Sequence, residues 1–217
     1  MRTELIDPND ISLDVSLSMV DVLDGIHRLK VDIRLYNPEY GDTAKIGTIW
    51  ALLCWDARPL PAWELYYQAD ALDEQSAVLG HAASQAILWH QRHANPLQQM
   101  PVLMIDILRL DPEHRGRKLT DAIMDALVTL LGLDPAATLI LIDKLPVTEA
   151  RQYYEPGPER DAAENKVDAA LKVAGFKPWN EVVSIRSRNL PGRLPRNEPK
   201  MLHEGPPPSV GWVIAGD

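Results

Sequence analysis

Hydrophobic and polar residues alternate between positions 12 and 20. Leu13, Val15, Leu17 and Met19 fall on one parity, and Ser12, Asp14, Ser16 and Ser18 on the other. That period predicts a strand with one buried face. Asp24-Gly25 reads as a turn. Alternation resumes from 28 to 36, with Leu29, Val31, Ile33 and Leu35 set against Arg28, Lys30, Asp32 and Arg34. Asn37-Pro38 and Gly41-Asp42 interrupt it, and residues 45–55 are then apolar on both parities, as in a more deeply buried strand. The first 55 residues therefore predict an antiparallel three-stranded meander.

The pattern then changes. Pro59 and Pro61 end the strand region. Residues 73–89, rich in Ala, Leu and Gln and free of proline, predict a helix, with a shorter one near 63–67. Residues 101–110 are almost continuously apolar and predict a central strand. From 117 to 131 the apolar positions Leu119, Ile123, Leu127, Leu130 and Leu131 follow helical spacing, with Asp121 and Asp125 on the other side and Gly132 as a stop. Residues 139–142 predict a short buried strand parallel to the 101–110 strand. Residues 144–161 hold Pro146, Pro156 and Pro158 and read as a loop. Val167, Ala170, Leu171 and Ala174 define a last helix, and 181–187 a further strand.

With 217 residues, 46% hydrophobic and 24% charged, the chain predicts one globular domain, placed at 1–189, followed by a Pro-rich extended tail at 190–217. Residues 210–215 of that tail predict a late strand on a neighbouring subunit, hence a homodimer. No apolar run is long enough for a membrane span, and the N-terminus has no apolar signal region. The single cysteine, Cys54, has no internal disulfide partner. These features predict a cytoplasmic protein. A net charge of −9 argues against nucleic-acid or anionic-membrane partners and mildly favours cationic substrates.

Chemistry concentrates at 108–126, LRLDPEHRGRKLTDAIMDA. A buried strand runs through a turn into Arg115, Gly116, Arg117 and Lys118, then a helix. Helix-start N–H groups and the helix dipole favour an anion, and three cations stand at the same place. On charge alone they read first as solvated surface charges beside an ordinary loop.

The segment resembles motif A of the GNAT N-acetyltransferases on Leu108-Arg109-Leu110, Pro112, Arg115 and Gly116. Residues 169–176, AALKVAGF, are similar to that family's closing helix with its Gly-Phe end. Lys118 and Thr120 stand where the family has glycine and glycine or alanine. The resemblance implies an α/β fold: a mixed, mostly antiparallel sheet, a central parallel strand pair and helices on both faces. It implies transfer of an acetyl group from acetyl-coenzyme A, as cosubstrate, to a small-molecule or protein amine. Leu108, Arg109 and Leu110 would pair with the pantetheine. Arg115, Gly116, Arg117, Lys118, Leu119 and Thr120 would hold the pyrophosphate.

The family's thiolate acid, a tyrosine on the closing helix, is here Leu171, so Tyr153 and Tyr154 of the preceding loop are the candidate acids, or else packing residues. Asp106, a carboxylate in an apolar strand on the parity of Val102, Met104, Leu108 and Leu110, is the candidate base; burial would raise its pKa. It reads equally as a hydrogen-bonded structural aspartate. The replaced glycines keep open a rival class, a catalytically inactive binding or assembly module of the same fold. His90 and His93 lack a third ligand, so no metal is expected. Trp50, Trp55, Trp63, Tyr66 and Tyr67 line an acceptor pocket or fill core, and Cys54 reads as a small buried hydrophobe.

Overall fold

The computed structural model describes residues 10–19, 25–37, 42–58, 60–93, 100–144, 156–180 and 182–187. The proline-rich tail with its strand at 210–215, and Tyr153 and Tyr154, lie outside these residues, as do the side chains of His90 and His93. The described strands are β1 (Ile11–Met19), β2 (Ile26–Asn37), β3 (Asp42–Cys54), β4 (Val102–Leu110), β5 (Leu139–Asp143), β6 (Lys177–Pro178) and β7 (Val183–Arg186). The helices are α1 (Ala62–Asp70), α2 (Glu74–His93), α3 (Leu119–Leu130) and α4 (Pro158–Val173). Among the described residues no helix is long and apolar enough to cross a membrane.

The strands form one seven-stranded sheet in the order β1-β2-β3-β4-β5-β7-β6. Every neighbouring pair is antiparallel except β4 and β5. The expected α/β class, mixed sheet and single parallel pair are therefore present. The helical connection of β4 to β5 through α3 is what a parallel pair requires. The alternating meander forms as its pattern dictates: Leu29, Val31 and Ile33 are all buried on one face, with Arg28 and Lys30 exposed on the other.

Two apolar clusters sandwich the sheet. On one face α1 and α2 bring Leu65, Leu79, Ala83 and Ile87 against Leu52, Met104, Leu141 and Ile185. On the other, α3 and α4 bring Ile123, Leu127 and Leu171 against Val31, Ile49, Leu103 and Ile142. Helices thus cover both faces; α2 packs mainly on β4, β5 and β7, and the α1–α2 cluster also takes in Ile26 of β2 and Leu52 and Cys54 of β3. Farther out on this face the described helices leave Arg28, Lys30, Lys45 and Trp50 exposed.

Two boundaries differ from expectation. Helix α4 begins at Pro158, inside the stretch read as loop, because proline at the first helical position loses no hydrogen bond and has a helical φ already. The two-residue β6 carries too little pattern to be legible. Charged contacts lock the C-terminal elements together. The buried Lys144 ammonium lies 2.8 Å from the Asp168 carboxylate, tying the end of β5 to α4. Arg186 of β7 grips Asp125 and Asp121 of α3 at 2.6 and 3.1 Å.

Candidate functional site

β4 and β5 stay in register for four residues only, from Val102 opposite Leu139 to Ile105 opposite Ile142. β5 ends one residue later, whereas β4 runs on to Leu110, held on its other edge by β3. The divergence coincides with a β-bulge. Trp50 of β3 pairs with Ile107 and Ala51 with Ile105, so Asp106 is the extra residue. A bulge bends its strand and re-aims the side chains beyond it.

Its effect shows in the core. Leu103 and Ile105 face α3, and so do Leu108 and Leu110, while Val102 and Met104 face α2. The expectation that Asp106 shares a face with Leu108 and Leu110 is thus corrected, because the bulge inverts the parity beyond it.

The triplet's backbone is turned toward the divergence. The Asp111 N–H donates to the Ile46 carbonyl (2.9 Å), on the β3 side. Alternation along a strand then directs the N–H and C=O of Leu110 and of Leu108 to the opposite edge, and those of Arg109 toward β3. The Arg109 carbonyl accordingly crowds Gly47, where a Cβ would sit 2.5 Å from it. The side chain of Arg109 is exposed.

After a 3-10 turn, Pro112–His114, the chain enters α3 through two left-handed residues, Gly116 (φ 75°) and Lys118 (φ 59°). Lys118 is the one non-glycine residue with positive φ among those described. A side chain there costs on the order of 1–2 kcal/mol. The position thus keeps a glycine-type backbone although the residue is lysine. No side chain caps the start of α3. Arg115 braces the loop, its Nε donating to the Leu110 carbonyl at 2.8 Å.

Gly116, Arg117, Lys118 and Thr120 line a groove of about 230 Å³ whose far wall is Ala169, Ala170 and Val173 of α4. Space beside Gly116 is open for at least 4 Å around a notional Cβ. Arg115 does not line the groove, and Leu119 is buried against the sheet and can offer only its backbone. Asp121, on the rim, is held by Arg186, which offsets its repulsion of an anion.

No known family model, curated protein or solved structure matches this chain.

Asp106 has its pKa pushed up to about 7, first by burial, then by the like charges of Asp73 and Asp143; Arg28 opposes the shift. Asp73 caps α2 by accepting from the Ser76 N–H (2.7 Å). Asp143 ends β5, one residue past the partner of Ile105. Asp106 therefore stands where the strands part, able to gain or lose a proton near neutrality. Cys54 is buried and its thiol is raised to about 11, mainly by that burial, which suits a packing residue and not a nucleophile. Leu171 is buried in the α3-side core. Trp50, Trp55 and Trp63 are each more than a third exposed, so these rings are not core. Asp73 and Asp143 escaped the sequence reading. Asp143 ends an apolar run and could have been flagged; Asp73 looks like an ordinary helix cap.

Proposed function

We propose that the protein is an acyl-coenzyme A-dependent N-acyltransferase, with acetyl as the simplest acyl group, working in the manner of the GNAT enzymes its motifs resemble. The observation that carries this reading is the parting of β4 from β5 at Asp106. It leaves the backbone groups of Leu108 and the N–H of Leu110 on an edge that no described strand occupies, while the Leu110 carbonyl accepts from Arg115. A pantetheine arm is a linear amide chain, and such an edge suits it as a strand suits a strand. The groove at the start of α3 supports the same reading, since Arg117, Lys118 and uncapped N–H groups suit a pyrophosphate.

In this mechanism Asp106 takes a proton from the acceptor ammonium. The freed nitrogen attacks the thioester carbonyl, the C–N bond forms and the C–S bond breaks. The thiolate leaves as the thiol after taking a proton from a nearby donor or from water. One ammonium and one thioester thus give one amide, one thiol and one released proton. A base with a pKa near 7 is matched to this task at neutral pH.

The rival reading, a non-catalytic module of the same architecture, is favoured by lysine at a glycine-type position and by the buried Leu171. Calorimetric titration with acetyl-coenzyme A separates the two. The expected result is saturable binding that weakens by about 2–4 kcal/mol when Arg117→Ala and Lys118→Ala are combined, the loss of two charge-assisted contacts. Absence of binding at millimolar ligand would overturn the enzyme reading.

A further inference from the structure

The outer half of the α2 face reverses the sign of the whole molecule. On this face β2 presents Arg28, Lys30, Asp32 and Arg34 in alternation, beside Lys45 and Trp50 of β3 and Arg109 of β4. Arg34 pairs with Asp14, and Lys45 with Asp32 at 2.8 Å. Arg28 and Lys30 have no carboxylate partner among the described residues. The Lys30 ammonium instead sits 5.4 Å from the centre of the exposed Trp50 ring. Arg28, Lys30, Arg34 and Lys45 thus lie with Asp14 and Asp32 on one strand face of a chain whose net charge is −9. The patch ends at the bulge. Trp50 is opposite Ile107, the neighbour of Asp106, and Arg28 is near enough to act on the Asp106 charge.

Resting on the acyltransferase reading above, we infer that the acceptor is an acidic polypeptide, its free amino end at Asp106 and its following residues laid across the cationic face of β2 and β3. Ammonium and carboxylates meet complementary charges along this path, Asp73, Asp106 and Asp143 at its start and Arg28, Lys30 and the cations beyond them after it. The path from Arg28 to Arg34 is about 20 Å, the length of roughly six extended residues. An open strand face suits an extended chain better than a small molecule, which needs a concave site. The Asp14 and Asp32 carboxylates and the overall negative charge disfavour nucleic acid.

The test uses the full chain and a peptide of about six residues, with a free amino end followed by alternating aspartate and glutamate and a fluorophore at its other end. Binding is read by anisotropy without coenzyme A, and acetylation by mass spectrometry with it. The expected result is binding that weakens with salt and falls roughly tenfold or more in Arg28→Glu/Lys30→Glu, with the fold retained by circular dichroism because both residues are exposed.

Equal or tighter binding of a lysine-containing analogue, or of a single-stranded oligonucleotide, would overturn the inference. So would unchanged peptide affinity in the variant. If acetyl-coenzyme A binds and simple amines are acetylated while the acidic peptide fails, the polypeptide acceptor falls and the acyltransferase survives. If the peptide binds but acetyl-coenzyme A does not, the acyltransferase reading falls, and the inferred acceptor role falls with it.

Discussion

The two ends of β4 are built to opposite purposes. From Val102 to Ile105 the strand is paired on both edges, by β3 and by β5, and its side chains are buried on both faces. From Ile107 to Leu110 it is paired with β3 alone, its side chains are partly exposed, and the left-handed loop follows at once. One bulged residue, Asp106, separates the halves. The lower end contributes stability through close packing. The upper end gives up pairing and burial, and with them stability, and leaves the Leu108 edge without a described strand partner, with a titratable carboxylate at its start. Exposed pairing edges are usually blunted or covered in proteins, so an edge left open in the middle of a sheet calls for a functional explanation.

The comparison breaks most visibly if the lower end is emptied. Leu103→Ala removes a side chain with no solvent exposure and is expected to cost about 3–5 kcal/mol in urea unfolding. Arg109→Ala, six residues along the same strand and exposed, is expected to cost less than about 1 kcal/mol. Similar losses at the two sites would mean the ends are not distinct.

Asp106→Asn sharpens the division next. Turnover is expected to fall roughly 100-fold with coenzyme A affinity retained. Stability should move the other way. The folded state raises the Asp106 pKa from 3.8 to about 7. It therefore holds the proton more tightly than the unfolded chain, and the wild type loses stability as pH rises from about 4 through about 7. The variant should melt with the wild type near pH 4, above it near pH 8, and with a gap that grows between these and then levels. A gap that is constant with pH would remove Asp106 as the carboxylate that titrates here.

The smallest effect belongs to the loop. Lys118→Gly relieves a left-handed side chain and is expected to gain up to about 1 kcal/mol of stability, while weakening coenzyme A binding by roughly tenfold through loss of the ammonium. Lys118→Ala keeps the strain and should bind as weakly without the gain. If both variants bind coenzyme A like the wild type, the ammonium lies outside the site.

Much of this was readable along the chain. The alternation of β1 and β2, the apolar run of β4, and the helix–strand order that forces β5 parallel to β4 all follow from local periodicity and connection rules. The candidate loop was legible because cations cluster at a helix start against their electrostatic preference. Other features were not. Trp50, Trp55 and Trp63 resemble core residues by size, and only the placement of α1 and α2 decides that they face solvent. Tyr153 and Tyr154 fall outside the described residues, so the thiolate acid rests on the resemblance alone.

The sequence by itself determined which residues form the long strands and most of the helices, which face of each outer strand is apolar, and where the cations sit, because all of these depend on neighbours a few positions away. The tertiary structure alone decided three things. It placed the bulge at Asp106, because only pairing with Trp50 and Ala51 reveals one residue too many. It gathered Asp73, Asp106 and Asp143, from three elements far apart in the chain, into one field that shifts a proton affinity. And it left Arg28, Lys30, Lys45 and Trp50 exposed on the α2 side of the sheet, because among the described helices α2 packs mainly on β4, β5 and β7.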